Sequence, residues 1–422
     1  MNSIKLMLLN TFEKISKNKH SVSFIAINII VAFLGFLRSF VFMKTLDFEQ
    51  LGLITILQTA AMLVGFLQIG LINGGYRVVA VKDNGRIVQR TINTVFSYML
   101  VLTILLLVFT LLSYKFELSA IIDYLLLVIF LSISSMLSIW LTNYLIARRN
   151  YHYLNKINLI SSVFGFASVF LVFYYGVFGA ILSLAIQPVL FICLVLLKNK
   201  ESRPTKFEFK FKIIHYILRF GFIPFLSGLF FLLYIQVERW GISMFISTEA
   251  LGHAYLYFMI VALWVLVPTS IMNLFFPRAA KSFATNDLVS MNKIVSTHFY
   301  VVMLYCLIAS ITIYFFLAPM VKLAFEAHLP YVDLVIISLP GLIFRSLADP
   351  VAVFLNSTVK LKPIFWSDVI SLVLYVLAGA YAIAIYEFQL IHAVYLFDFY
   401  FFIRFLIVFS VYLSSSMRKA FL

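Results

Sequence analysis

Apolar runs of about 20 residues recur from one end of this chain to the other, and nothing constrains its folding more. Twenty apolar residues wound as a helix span the roughly 30 Å of bilayer hydrocarbon. Twelve such runs can be placed: 22–46, 51–72, 92–113, 121–146, 157–176, 177–197, 214–246, 250–275, 298–318, 332–357, 364–386 and 389–413. Strands of a membrane barrel would instead show alternation over about ten residues. The remainder of the chain cannot clothe a soluble globule, because 63% of the 422 residues are hydrophobic and only 12% are charged. The expectation is therefore an all-α polytopic membrane protein of about twelve transmembrane helices.

The segment before the first run carries lysines, and that run lacks a small-residue cleavage site, so it reads as a retained first helix. "IKLMLLNTFEKI", residues 4–15, has the pattern of a surface-lying amphipathic helix. Cys193 and Cys306 fall in separate runs and read as two buried thiols.

Of the 32 lysines and arginines, 25 fall at the termini or in every second loop. The opposite loops hold Lys44, Lys115 and Lys322, and four arginines lie within the runs. By the positive-inside rule both termini are cytoplasmic. The net charge of +15 follows from this topology, so no nucleic-acid partner is expected.

The longest polar insertion, "KNKESRPTKFEFKFK", divides the chain into an N-lobe (1–197), a basic cytoplasmic linker (198–213) and a C-lobe (214–422). Each lobe takes six runs, so both enter the membrane in the same sense, as parallel repeats. Glu49 and Gly52 in "FEQLGLITIL" match Glu249 and Gly252 in "TEALGHAYLY" at an offset of 200 residues.

Charges inside apolar runs are costly and mark candidate sites. Arg38 sits in "FLGFLRSFVF"; it either faces a wet cavity or snorkels along its own stem. The 200-residue offset carries Arg38 onto Glu238, with Arg239 beside it. Arg345 and Asp349 stand four apart, on one helical face and within pairing reach, with Pro350 next in line. That pair reads equally as a cavity site or as a self-neutralised couple. Asp398 and Arg404 are six apart, cannot share a face, and each needs another partner. Among intramembrane charges the four arginines stand against Glu238, Asp349 and Asp398, a small cationic excess. Pro188, Pro224 and Pro268 are candidate kinks, and His392 reads as a packing histidine. No Walker loop, metal-spaced His/Cys cluster or nucleophile elbow is present, so neither an enzyme nor a cofactor is expected.

"LGFLRSFVFMKTLDFEQLGLITIL", "GLINGGYRVVAVKDNGR" and "QVERWGISMFISTEALGHAYL" resemble the polysaccharide-exporter branch of the multidrug/oligosaccharidyl-lipid/polysaccharide (MOP) superfamily. Within it the likeness is to Wzx-type flippases for O-antigen and related glycans. Arg38 matches that family's "GFxR" pattern, and "VERWGIS" resembles its "DR-apolar" signature with Glu238 in place of aspartate. The resemblance implies two six-helix bundles in a V and a cargo of undecaprenyl-diphosphate-linked oligosaccharide. Membrane lipid and other polysaccharide-assembly proteins are the further partners it implies. Two other readings stay open: a drug or cation antiporter of the same superfamily, and a membrane polysaccharide polymerase or ligase. The latter would bring a large outer loop, which this chain lacks.

Overall fold

A computed structural model describes residues 19–82, 84–115, 122–358 and 362–420. The expected amphipathic segment 4–15 lies outside them. In hydrocarbon every backbone N–H and C=O needs an internal partner, and helices supply one within each segment. The described residues accordingly hold fifteen α-helices, short 3₁₀ turns and no strand. In chain order they are α1 (Lys19–Thr45), α2 (Phe48–Gly65), α3 (Leu71–Val81), α4 (Gly85–Lys115) and α5 (Ile122–Ala147). Then come α6 (Tyr151–Ala167), α7 (Leu171–Lys198), α8 (Phe211–Phe245), α9 (Thr248–His253) and α10 (Tyr255–Ala284). The last five are α11 (Leu288–Ala324), α12 (Val332–Ile337), α13 (Leu339–Ser357), α14 (Lys362–Ile385) and α15 (Leu390–Ala420).

Nine helical stretches among the described residues are long and apolar enough to cross a membrane, or ten when Glu326–Ile337 and Leu339–Ser357, bent by 48°, count as one span. Two features account for the difference from the expected twelve. The stretch Tyr151–Lys198 is continuous over 48 residues, which would be roughly 70 Å if straight and twice the hydrocarbon thickness. It is not straight. Gly176 breaks it at φ 50° and ψ −127°, a conformation that suits glycine because no Cβ is present. Gln187 returns beside Ser162, its Nε2 donating to the Ser162 Oγ at 2.9 Å, so the stretch doubles back on itself. The second feature is α8, which is not among the nine although 18 consecutive residues of it, 220–237, carry no charge; Arg219 precedes that stretch, and Glu238 and Arg239 follow it. α11 starts where Asp287 caps it: the Ser290 N–H donates to Asp287 Oδ1 at 2.9 Å. The Ser290 side chain and then its N–H favour the anion and hold the Asp287 carboxyl below the usual range.

The chain forms two compact units. The first is Met1–Thr45 with Ala60–Phe225; the second is Leu46–Thr59 with Leu226–Leu422. In the first unit Val79, Ile92, Met99, Trp140, Leu141, Tyr144 and Phe191 belong to one buried core. The polar insertion is pinned to this unit. Gln89, Asn93 and Ser97 fall one turn apart on a single face of α4. Gln89 Nε2 donates to the Arg203 carbonyl at 2.9 Å, Thr205 N–H donates to Asn93 Oδ1 at 2.9 Å, and Glu208 N–H donates to Ser97 Oγ at 2.8 Å. Arg90 adds an ion pair to the buried Glu208, Nε to Oε1, at 3.0 Å.

In the second unit α2 and α9 cross with their backbones in contact. A Cβ on Gly52 would lie 1.9 Å from the Thr248 carbonyl oxygen, and a Cβ on Gly252 would lie 1.8 Å from that of Phe48. Residues 48 and 248, and 52 and 252, are the positions that the 200-residue offset pairs. The contact is thus reciprocal, with each glycine set against the first residue of the other helix. Around it, Phe48 meets the rings of His253 and His328 edge-on at 4.4 and 4.9 Å.

Candidate functional site

Six of the seven candidate residues lie in the second unit, gathered on α8, α13 and α15. An aromatic cluster ties them together. Tyr234 of α8 stacks on Tyr400 of α15 at 4.4 Å and meets Phe401 edge-on at 5.1 Å. Arg345 of α13 lies between two rings of this cluster, 5.4 Å from the centre of Phe231 and 5.3 Å from that of Phe401. The Arg404 guanidinium lies 5.0 Å from the same Phe231. A cation over a ring face gains about 0.5–2 kcal/mol, more as water is excluded, so the rings help hold two guanidiniums in an apolar segment.

Glu238 and Arg239, adjacent on α8, diverge as neighbours on a helix must. Tyr257 of α10 donates its hydroxyl to Glu238 Oε1 at 2.9 Å, while Arg239 lies 4.9 Å from the ring centre of Phe258. Glu238 is buried.

Arg345 and Asp349 do not form the pair that their spacing allows. Among the described residues no hydrogen bond or ion pair joins them; the guanidinium turns to Phe231 and Phe401 instead. In a double-mutant cycle on Arg345→Ala and Asp349→Ala, the coupling measured by thermal unfolding should stay below about 1 kcal/mol. A coupling as large as that of a contacting buried pair would restore the ion pair.

Asp398 and Arg404 each find the separate partner they require. Asp398 Oδ1 accepts the Gly341 N–H at 2.8 Å. That N–H belongs to the first turn of α13, where no helical carbonyl is available and the dipole favours an anion. A Cβ at 341 would sit 2.3 Å from the carboxylate oxygen, so the Asp398 side chain would have to shift to admit one. Arg404 donates from Nε to Asp368 Oδ1 at 2.6 Å, with both residues buried. Asp368, in the run "FWSDVIS" of α14, was missed by the sequence reading. Its own signal is an acid in the eleventh apolar run, and with it the cationic excess among the weighed charges disappears, four against four.

Arg38 lies in the first unit, on α1, half-buried. Its Nη1 donates to the Ser183 carbonyl of α7 at 3.3 Å. Pro188, four residues beyond Leu184, removes the N–H that the Leu184 carbonyl would accept, which loosens α7 at this level.

Apolar membrane-length helices with arginines and acids inside them define a polytopic membrane protein, and structural comparison narrows the fold. An inward-facing multidrug resistance MATE transporter of the MOP superfamily superposes with a TM-score of 0.72 at 12% identity, covering 95% of this chain and 98% of that one. The lipid II flippase MurJ, inward closed, gives 0.70 at 15% identity over 92% of this chain and 87% of its own. A MOP-superfamily transporter from Pyrococcus furiosus, described as having a binding pocket of reversed polarity, gives 0.66 at 13% over 95% and 94%. The chain has the MOP-superfamily fold. No family model and no curated protein matches the sequence.

Proposed function

We propose that this protein is a flippase that carries undecaprenyl-diphosphate-linked oligosaccharide, an O-antigen or related surface-glycan unit, from the cytoplasmic to the periplasmic leaflet by alternating access. Arg38 carries the reading. It is a fixed cation within an apolar helix, and in membrane segments such charges face the bundle interior or a wet cavity. A guanidinium stays charged at any physiological pH and can grip phosphate oxygens bidentately. The positive charge gathered on alternate loops supports a topology with both termini cytoplasmic, here in a bacterial inner membrane. Outward passage of a diphosphate is then favoured by the inside-negative potential, by roughly 4–5 kcal/mol for two charges at 100 mV.

A drug or cation antiporter is the second reading. It is favoured by Glu238 and Asp398, whose hydrogen bonds come from the neutral Tyr257 hydroxyl and Gly341 N–H.

Removing the gene should make undecaprenyl-linked oligosaccharide accumulate on the cytoplasmic leaflet without changing resistance to cationic drugs. The converse result favours the antiporter. Arg38→Ala should abolish surface glycan at normal protein levels, and Arg38→Lys, which keeps the charge and loses the fork, should leave part of it. Wild-type glycan export by Arg38→Ala would overturn this role.

A further inference from the structure

The first unit holds a second polar feature one turn from the Arg38 anchor. A cavity of about 270 Å³ opens between α5, α6 and α7, lined in part by Ser135, Ser138, Asn158, Ser161 and Gln187. No lining residue is charged. Hydroxyls in membrane helices normally satisfy themselves by bonding back to a carbonyl three or four residues earlier. Ser132, Ser134, Ser161, Thr103 and Thr110 of this unit all do so. Among the described residues Ser135 and Ser138 make no hydrogen bond, although both lie in the middle of α5. Gln187 spends one donor on Ser162, and among the described residues its carbonyl oxygen and second N–H have no other partner. Asn158 likewise spends one N–H, on Asn28 Oδ1 at 3.5 Å. Polar groups held in a hydrocarbon layer without partners cost free energy, so a ligand that supplies those partners is stabilised there.

Ser183, which receives Arg38, precedes the lining residue Leu184 and stands four residues before Gln187, about 6 Å along one face of α7. We propose that this cavity is a sugar subsite: it takes the uncharged, polyhydroxylated ring adjoining the phosphate that Arg38 engages. Hydroxyls that both donate and accept match serine, asparagine and glutamine, whereas a cationic drug would find no carboxylate here. The volume suits one monosaccharide rather than a whole repeat unit. The inference rests on the flippase reading and adds to it which part of the cargo this unit recognises.

The test uses the full chain purified into lipid nanodiscs. Two probes are compared: undecaprenyl diphosphate without sugar, and the lipid-linked glycan extracted from source cells lacking this protein. Wild type should bind the glycan-bearing lipid at least tenfold more tightly than the bare one. Gln187→Leu should bring the two affinities together by weakening only the former. Ser138→Val should do the same in part, and serves if the first variant fails to fold. Arg38→Ala should weaken both. Equal wild-type affinities, or a tenfold gap that survives in both cavity variants, overturns the sugar subsite and leaves the flippase reading standing. Wild-type binding of neither lipid overturns both.

Discussion

Gly52→Ala and Gly252→Ala should each lower the thermal stability of the purified protein sharply and remove its activity. The added methyl carbon would sit 1.9 or 1.8 Å from a carbonyl oxygen, and that oxygen belongs to backbone at the start of a helix. No side chain can rotate out of the way. The two helices must part by more than an ångström, which breaks the ring contacts of Phe48 with His253 and His328 nearby. Inserting a methyl group into well-packed structure costs typically 1–3 kcal/mol, and a backbone clash belongs at or above the upper end. Gly35→Ala supplies the control. It lies in α1 with no atom within 4 Å of the added carbon, and the helix propensity of alanine makes it neutral or slightly stabilising. Thermal unfolding in detergent reads all three. Wild-type melting temperatures in both Gly52→Ala and Gly252→Ala would mean that α2 and α9 do not cross in this way.

The second large effect is expected at Asp368 and Arg404. With both residues buried and 2.6 Å between Nε and Oδ1, each charge depends on the other. Asp368→Asn or Arg404→Met alone leaves an uncompensated charge or a stranded polar group, at a cost of about 3–5 kcal/mol. Asp368→Leu combined with Arg404→Met removes both charges together and should recover much of that stability, because no charge then has to be desolvated. Arg404→Lys should rescue poorly, since an ammonium cannot reproduce the planar group that also lies over Phe231. Additive losses in the double variant would show that the two side chains act separately.

The sequence carried the fold class because its cause is local: the length and apolarity of each run decide helix formation in a bilayer, whatever the run packs against. The Glu-x-Leu-Gly match was legible for the same reason. Partners of the charged groups were not legible. Arg345 has an acid at the favoured spacing, yet its guanidinium turns to rings from two other helices, and spacing within a helix says nothing about those. Asp368 pairs across 36 residues of chain, and only its presence in an apolar run marked it. The segment "KFEFKFK" reads as a polar connection, but Glu208 within it is buried on Arg90. What set its course was the placement of Gln89, Asn93 and Ser97 on one face of α4, a pattern that becomes meaningful only once the segment is laid against it.

The crossing of α2 and α9 also bears on how freely the sequence can vary at its two glycines. Where two side chains meet, a change in one can be answered by a change in the other, and likeness between repeats fades by paired drift. Here each glycine abuts a peptide carbonyl of the opposite copy, and a peptide group is the same whatever residue bears it. No answering substitution exists, so neither copy is free to vary at this position while the contact lasts. The Glu-x-Leu-Gly match of residues 49–52 with 249–252 thus falls where the opposing helix presents only main chain.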